Sequence, residues 1–205
     1  MKPKGQARNK IVDRALHLAH RVGLEELSLG TLAADLKRSK SGLFAHFHSK
    51  EELQLAVLQE AIERFKRLVI QPALTRPRGE LRLRAIFEYY LAWIRGSGRE
   101  GGCILMALSQ EYDDRPGRVR DVLVQAETDL RGVIARVAKD ALGEKYLRPD
   151  VDVEQFAFET LGIVMVFQQQ WRLLKDPQAD RRAHAAFDGL LARSAYTQPE
   201  GMKAS

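Results

Sequence analysis

Apolar residues recur at spacings of three and four along most of the chain, and no stretch alternates apolar with polar residues convincingly enough to predict a strand. Ile11, Ala15, Leu18, Ala19 and Val22 trace the face of a first helix, with Gly23 as its C-cap. Leu29, Leu32, Ala33 and Leu36 mark a two-turn helix with Ser28 as N-cap. Lys37 and Arg38 fall in a tight turn, and Ser39 caps a third short helix running to His46. Ser49 and Glu52 form an S-x-x-E capping box, which opens a long helix over 50–71 striped by Leu55, Leu58, Ile62, Phe65 and Val69. Residues 1–7 are polar, contain Pro3 and Gly5, and read as a mobile basic arm.

The remainder continues in the same period. After a connector from Pro72 to Gly79, Leu81, Leu83, Ile86, Phe87, Tyr90, Leu91 and Ile94 mark a helix ended by the run GSGREGG. A short apolar helix covers 103–112. A long one follows, with Pro116 in its first turn and Gly143 to Pro149 closing it. Asp152 with Gln155 makes a second capping box, opening a helix that is apolar around most of its circumference and so calls for cover on more than one side. Asp176-Pro177 reads as an N-cap with proline at the first position of a last helix, striped by Ala183, Phe187, Leu190 and Leu191. The tail from Thr197 is polar. The pattern predicts an all-α protein of about nine helices: a three-helix head over 1–52 and a larger helical body over 53–205, with the boundary inside the long helix.

Two short helices joined by a tight turn make a helix-turn-helix, whose second helix enters the major groove of DNA. The charge distribution agrees. The 205-residue chain carries a formal +6; residues 1–50 hold ten basic and four acidic residues, leaving twenty-three of each sign in the rest. All the excess positive charge lies in the segment that holds the helix-turn-helix, the electrostatic footprint of a nucleic-acid head on a neutral body. Lys40, Ser41 and Gly42 open the second helix, at the end that faces base edges, and Ser39 precedes them. Arg38, in the turn, adds a further candidate contact.

The stretch SGLFAHFHSKEELQLAVL resembles the DNA-binding signature of the TetR family of transcriptional repressors. The resemblance rests on a Ser-capped recognition helix, its aromatic-x-His-Phe end and the Ser-Lys-Glu-x-Leu start of the next helix, and covers about the first quarter of the chain. It implies phosphate contacts by Ser28, His46 and Lys50. It also implies a body that binds a small molecule among its central helices and dimerises through its last two. Two departures stand out. Lys37 and Arg38 occupy a turn where the family usually has Gly and a small apolar residue, and a Lys in a left-handed conformation costs roughly 1 kcal/mol. Phe44 stands where the family usually has Tyr, so one phosphate-contacting hydroxyl is missing; Phe44 and Phe47 both read as core.

In the body, Phe65, Phe87, Tyr90, Trp93, Met106, Tyr112, Phe158 and Met165 suit an adaptable apolar pocket, with Cys103 and Ala107 in its wall and Gln110 and Gln168 as polar anchors. Ordinary core packing is the competing account of the same residues. Phe167, Trp171, Phe187, Leu190 and Leu191 are the expected dimer anchors. No metal, cofactor or catalytic set is expected. His17/His20 and His46/His48 lack further ligands in sequence, and neither Ser109 nor His184 sits in a nucleophile motif; Glu111, Asp113 and Asp114 read as a solvated loop. The single cysteine excludes an intrachain disulfide and, with no signal-peptide or membrane-spanning run, fits a cytoplasmic protein. These features predict a dimeric repressor of double-stranded operator DNA, released by a small, largely hydrophobic effector. An effector-free architectural or partner-binding protein and a helical enzyme are the alternatives.

Overall fold

The computed structural model describes residues 4–96 and 102–196, with side chains from Gln6 onward. Among them are nine helices: α1 (Lys4–Val22), α2 (Leu29–Leu36), α3 (Lys40–Phe44), α4, α5 (Glu80–Arg95), α6 (Ile104–Tyr112), α7 (Arg118–Gly143), α8 (Val153–Gln168) and α9 (Ala179–Ser194). Helix α4 begins as Lys50–Phe65, passes through a π-helical turn at Lys66–Ile70 and ends as Gln71–Leu74. A second π-helical turn, Gln169–Leu173, extends α8. The described residues contain no strand, only an isolated antiparallel bridge between Leu147 and Ala195.

Several helix ends differ from the pattern-based expectation. Residues 4–7, expected in a mobile arm, already belong to α1; residues 1–3, the core of the GSGREGG run and the tail from Thr197 lie outside the described residues. Pro72 sits inside the helical run of α4 rather than opening a connector. A proline there removes one i→i−4 bond and crowds the carbonyl four residues back. That carbonyl belongs to Leu68, inside the π-helical turn, where the ladder is already widened. Helix α7 starts two residues after Pro116, because Gly117 between them has φ +138°. Helix α9 starts at Ala179 because Asp176 Oδ1 accepts from the Gln178 N–H at 2.9 Å in a turn of its own. At α8, Asp152 accepts from the Glu154 and Gln155 N–H groups, but the Gln155 side chain turns to Glu159, leaving half of the expected capping box.

The chain packs as two compact units, Met1–Arg67 with Gly98–Glu127, and Leu68–Ser97 with Thr128–Ser205. The expected head boundary at residue 52 falls inside the first of these. In the first unit, Leu24, Leu27, Leu32, Leu43, Phe47, Leu53, Val57 and Leu58 are wholly buried. Burying each such side chain contributes ~1.5–3 kcal/mol. Arg14 makes a bidentate pair with Asp35, joining α1 to α2, and Arg64 bonds both Asp13 and Glu60 at 2.6 Å, joining α4 to α1. The Arg8 guanidinium lies 5.0 Å from the Phe47 ring centroid.

The second unit is built on aromatic stacking. Phe87 of α5 and Phe187 of α9 are nearly parallel with centroids 4.1 Å apart, and His184 meets Phe87 edge-on. Arg84 bridges Glu80 and Asp188, and Arg95 pairs with Asp180 and covers the Phe167 ring. Burial beside Glu80 pushes the Tyr146 hydroxyl up to about 12. Leu81, expected on the apolar stripe of α5, is exposed and lies outside the buried face. Within this unit α8 buries its own Phe156, Val164 and Phe167 on one side, while its Phe158, Met165 and Val166 stay exposed at 68%, 51% and 56%.

Candidate nucleic-acid interface

Ser28 caps α2: its Oγ accepts from the Thr31 N–H at 3.1 Å while Thr31 Oγ1 accepts from the Ser28 N–H at 2.9 Å. The capping box thus uses Thr where Glu or Gln is usual. Helix α2 ends in a Schellman turn, with the Lys37 N–H bonded to Ala34 O and the Arg38 N–H to Ala33 O. Lys37 takes the left-handed position, φ 51° and ψ 44°, which glycine occupies without a Cβ penalty. The strain expected of the unusual turn is therefore present, and it leaves the Lys37 and Arg38 side chains exposed.

Ser39 caps α3, accepting from the Gly42 N–H at 3.2 Å. An added Cβ at Gly42 would meet that same Ser39 Oγ at 3.2 Å, so glycine lets the cap close. Helix α3 spans only five residues, shorter than the run to His46 read from sequence, because the chain tightens at its end: the His46 and Phe47 N–H groups both bond Leu43 O. Leu43 and Phe47 are fully buried and fix the helix from beneath, while Ser39, Lys40, Ser41 and Gly42 all face solvent. Phe44, expected in the core, is instead 43% exposed, with the Lys40 ammonium 5.9 Å from its ring centroid. One turn places Leu43 inward, and its neighbour must then point out. His46 is half-buried against Phe47.

Ser49 caps α4 by accepting from the Glu52 N–H, and Glu52 returns a bond to the His48 N–H rather than to Ser49. Lys50, at the start of α4, donates to Glu25 Oε1 at 2.6 Å. Glu25 Oε2 accepts from the Tyr112 hydroxyl at 3.2 Å, and Gln54, buried in α4, donates to both Tyr112 Oη and Leu24 O. Glu111, expected in a solvated loop, accepts from the Leu24 and Glu25 N–H groups at 3.1 and 2.7 Å. Burial, with the neighbouring Glu25 and Glu111 carboxylates, raises the Tyr112 hydroxyl. Sequence reasoning missed this cluster. Its one legible signal is Gln54, a polar residue at a core position of the α4 stripe.

The remaining expected site residues sort by burial. Phe65, Cys103 and Met106 are buried in the first unit, and Phe87 and Tyr90 in the second; Gln168 is half-buried. Ala107 and Gln110 are exposed, which corrects their reading as pocket wall and anchor, and Phe158 and Met165 lie on the open face of α8 rather than lining an interior. Four expected dimer anchors, Phe167, Phe187, Leu190 and Leu191, are buried within the chain itself, and Trp171 is half-buried, stacked near Phe167. The stripe of α9 is internal because Phe187 is taken up by Phe87.

A short capped helix carrying exposed Lys, Ser and Gly, presented after a tight turn on a three-helix scaffold, defines a helix-turn-helix DNA-binding protein. Sequence comparison sharpens that class. The family described as "Bacterial regulatory proteins, tetR family" matches residues 11–57, and "Tetracyclin repressor-like, C-terminal domain" matches residues 79–187, more than half of the chain. The chain belongs to the TetR family of DNA-binding transcriptional regulators. It is 27% identical over 174 residues to the HTH-type transcriptional regulator TcmR of Streptomyces glaucescens, covering 82% of this chain and 71% of that one. A TetR transcriptional regulator from Chloroflexus aurantiacus superposes with a TM-score of 0.82 at 20% identity, over 94% of this chain and 96% of that one. AibR, solved in complex with isovaleryl coenzyme A and operator DNA, superposes with a TM-score of 0.70 at 21% identity, over 93% and 99%.

Proposed function

We propose that the protein is a homodimeric repressor that binds double-stranded operator DNA through α3 and is released by a small, largely hydrophobic effector held in the body. The observation that carries the DNA half is the exposed, capped α3 with Lys40, Ser41 and Gly42 outward and Leu43 buried beneath them. Arg38, Ser28, His46 and Lys50 flank it as backbone contacts, which fix register without reading sequence. Two such heads across a two-fold axis would read half-sites ~34 Å apart. The division of labour assigns residues 1–52 to DNA and 53–205 to effector and partner, within the cytoplasm and without a catalytic role. Family membership and the relative solved with operator DNA and an acyl coenzyme A support this reading. No helix among the described residues is long and apolar enough to cross a membrane.

For assembly, the open face of α8 favours a revised set of anchors. Phe158, Met165 and Val166 are exposed, and Gly162, Val166, Ala185, Ala186 and Gly189 line a groove of about 780 Å³ between α8 and α9. A second copy of the same helix pair would bury these apolar side chains against small residues that allow close approach. For the effector half, the buried candidates are Phe65, Cys103 and Met106 in the first unit and, separately, Phe87 and Tyr90 with half-buried Gln168 in the second. Helix α4 carries Lys50 at one end and Phe65 further along, so a ligand that shifts it changes the spacing of the two heads. A ligand can do so only by its differential affinity for the two spacings, typically ~1–3 kcal/mol. The test is operator affinity with and without a ligand found by thermal-shift screening. Release at saturating ligand is expected; unchanged affinity would remove the effector from the account.

A further inference from the structure

Glu25 stands at the centre of the cluster beneath the head, and its carboxylate is held from two sides. Oε1 accepts from Lys50 Nζ at 2.6 Å. Oε2 accepts from the Tyr112 hydroxyl at 3.2 Å and faces the Arg115 guanidinium at 3.9 Å. The Glu25 backbone is pinned as well, its N–H donating to Glu111 at 2.7 Å. Glu25 therefore keeps its place when Lys50 leaves. The Lys50 hydrogen bond holds the Glu25 carboxyl below the usual carboxylate range, so it is charged at neutral pH. An ammonium paired with a carboxylate oxygen makes the same kind of charge-assisted contact that it makes with a phosphate oxygen.

We infer that Glu25 is an internal competitor of the DNA phosphate for Lys50, and that it lowers the sequence-independent affinity of the head. This rests on the DNA-binding reading above. When the head docks, Lys50 exchanges Glu25 for a phosphate oxygen. The freed carboxylate then attracts a cation from solution, offsetting part of the counterion release that the phosphate contact produces. The pair is half-exposed on both sides, so the competition is modest.

The experiment measures binding of the full chain to a random-sequence DNA duplex over a series of salt concentrations. Glu25→Gln keeps the shape of the side chain and an acceptor for Tyr112, and Glu25→Ala provides a second variant should the amide disturb the fold. Glu26→Gln removes the same charge one residue away, from a position with no bond to Lys50. Glu25→Gln is expected to tighten binding about 2- to 5-fold at low salt, the range of an exposed ion pair, and to steepen the salt slope by up to about 1 unit. Glu26→Gln should fall short of both changes. In a Lys50→Ala background, Glu25→Gln should lose most of its effect, because the competitor has nothing left to withhold. Tightening that equals that of Glu26→Gln, or that persists in full without Lys50, would reduce Glu25 to a general charge effect and overturn the inference. So would an unchanged or weaker affinity in both Glu25 variants that melt like the wild type. A wild-type chain that binds no duplex overturns the DNA-binding reading and this one together. Wild-type binding with no Glu25 effect overturns only this one.

Discussion

Helices α3 and α8 each leave one face open to solvent, and the two faces have opposite chemistry. Helix α3 exposes Lys40, Ser41 and Gly42 and buries Leu43. Helix α8 buries Phe156, Val164 and Phe167 and exposes Phe158, Met165 and Val166. Water already solvates the α3 face well, so only a ligand offering strong acceptors gains by covering it. The α8 face gains from any matching apolar surface. The same comparison explains why aromatic content alone misassigns residues: Phe187 and Phe158 look alike in sequence, yet one is internal and the other open. The difference lies in what each helix packs against.

The largest effect expected from breaking this comparison is at Phe187. Stacked on Phe87 and 2% exposed, it holds the second unit together. Phe187→Ala should cost ~3–5 kcal/mol of unfolding free energy, read from urea melts at fixed protein concentration. Phe158→Glu should behave in the opposite way. On an open face it leaves the protomer fold intact, but it should weaken self-association by ~2–5 kcal/mol, converting a sedimenting dimer to a monomer at micromolar concentration. If Phe158→Glu instead sediments as the wild type does, the dimer face lies elsewhere.

On the DNA side, Lys40→Ala should change base preference by ~1–3 kcal/mol at the contacted pair, as read from competition among variant operators. Lys50→Ala should weaken all sequences alike, and by less than a free phosphate contact would give, because Glu25 already engages the side chain. The smallest effect is at the turn. Lys37→Gly removes a left-handed Lys, φ 51°, and should raise stability by about 1 kcal/mol without altering the Schellman bonds, which are backbone to backbone. A loss of DNA affinity in that variant would identify the exposed Lys37 ammonium as a contact in its own right.

The helical order, the caps at Ser28, Ser39, Ser49 and Asp152, and the polar face of α3 were legible in the sequence because each depends on neighbours within a few residues. Phe44 was misread because a five-residue helix offers too few positions to define a buried face. Which residues of α8 are buried and which are open was not legible for a different reason. A helix apolar around most of its circumference gives no phase information, so nothing local says that Phe167 points inward and Phe158 outward. The contacts of Glu111 with Leu24 and Glu25 span eighty-seven and eighty-six positions and leave no periodic trace. Gln54 alone marked the cluster, as a polar residue whose burial demanded partners.

The measurement that bears most directly on the central claim is a footprint of the full chain on the DNA upstream of its own gene, at protein concentrations where its oligomeric state is known. The account predicts two protected half-sites related by a two-fold axis and spaced about one helical turn, ~34 Å, or a multiple of it, occupied with dimer stoichiometry and lost when α3 carries Lys40→Ala with Ser41→Ala. A single protected half-site bound by one chain, or uniform protection without preference for any sequence, would contradict it.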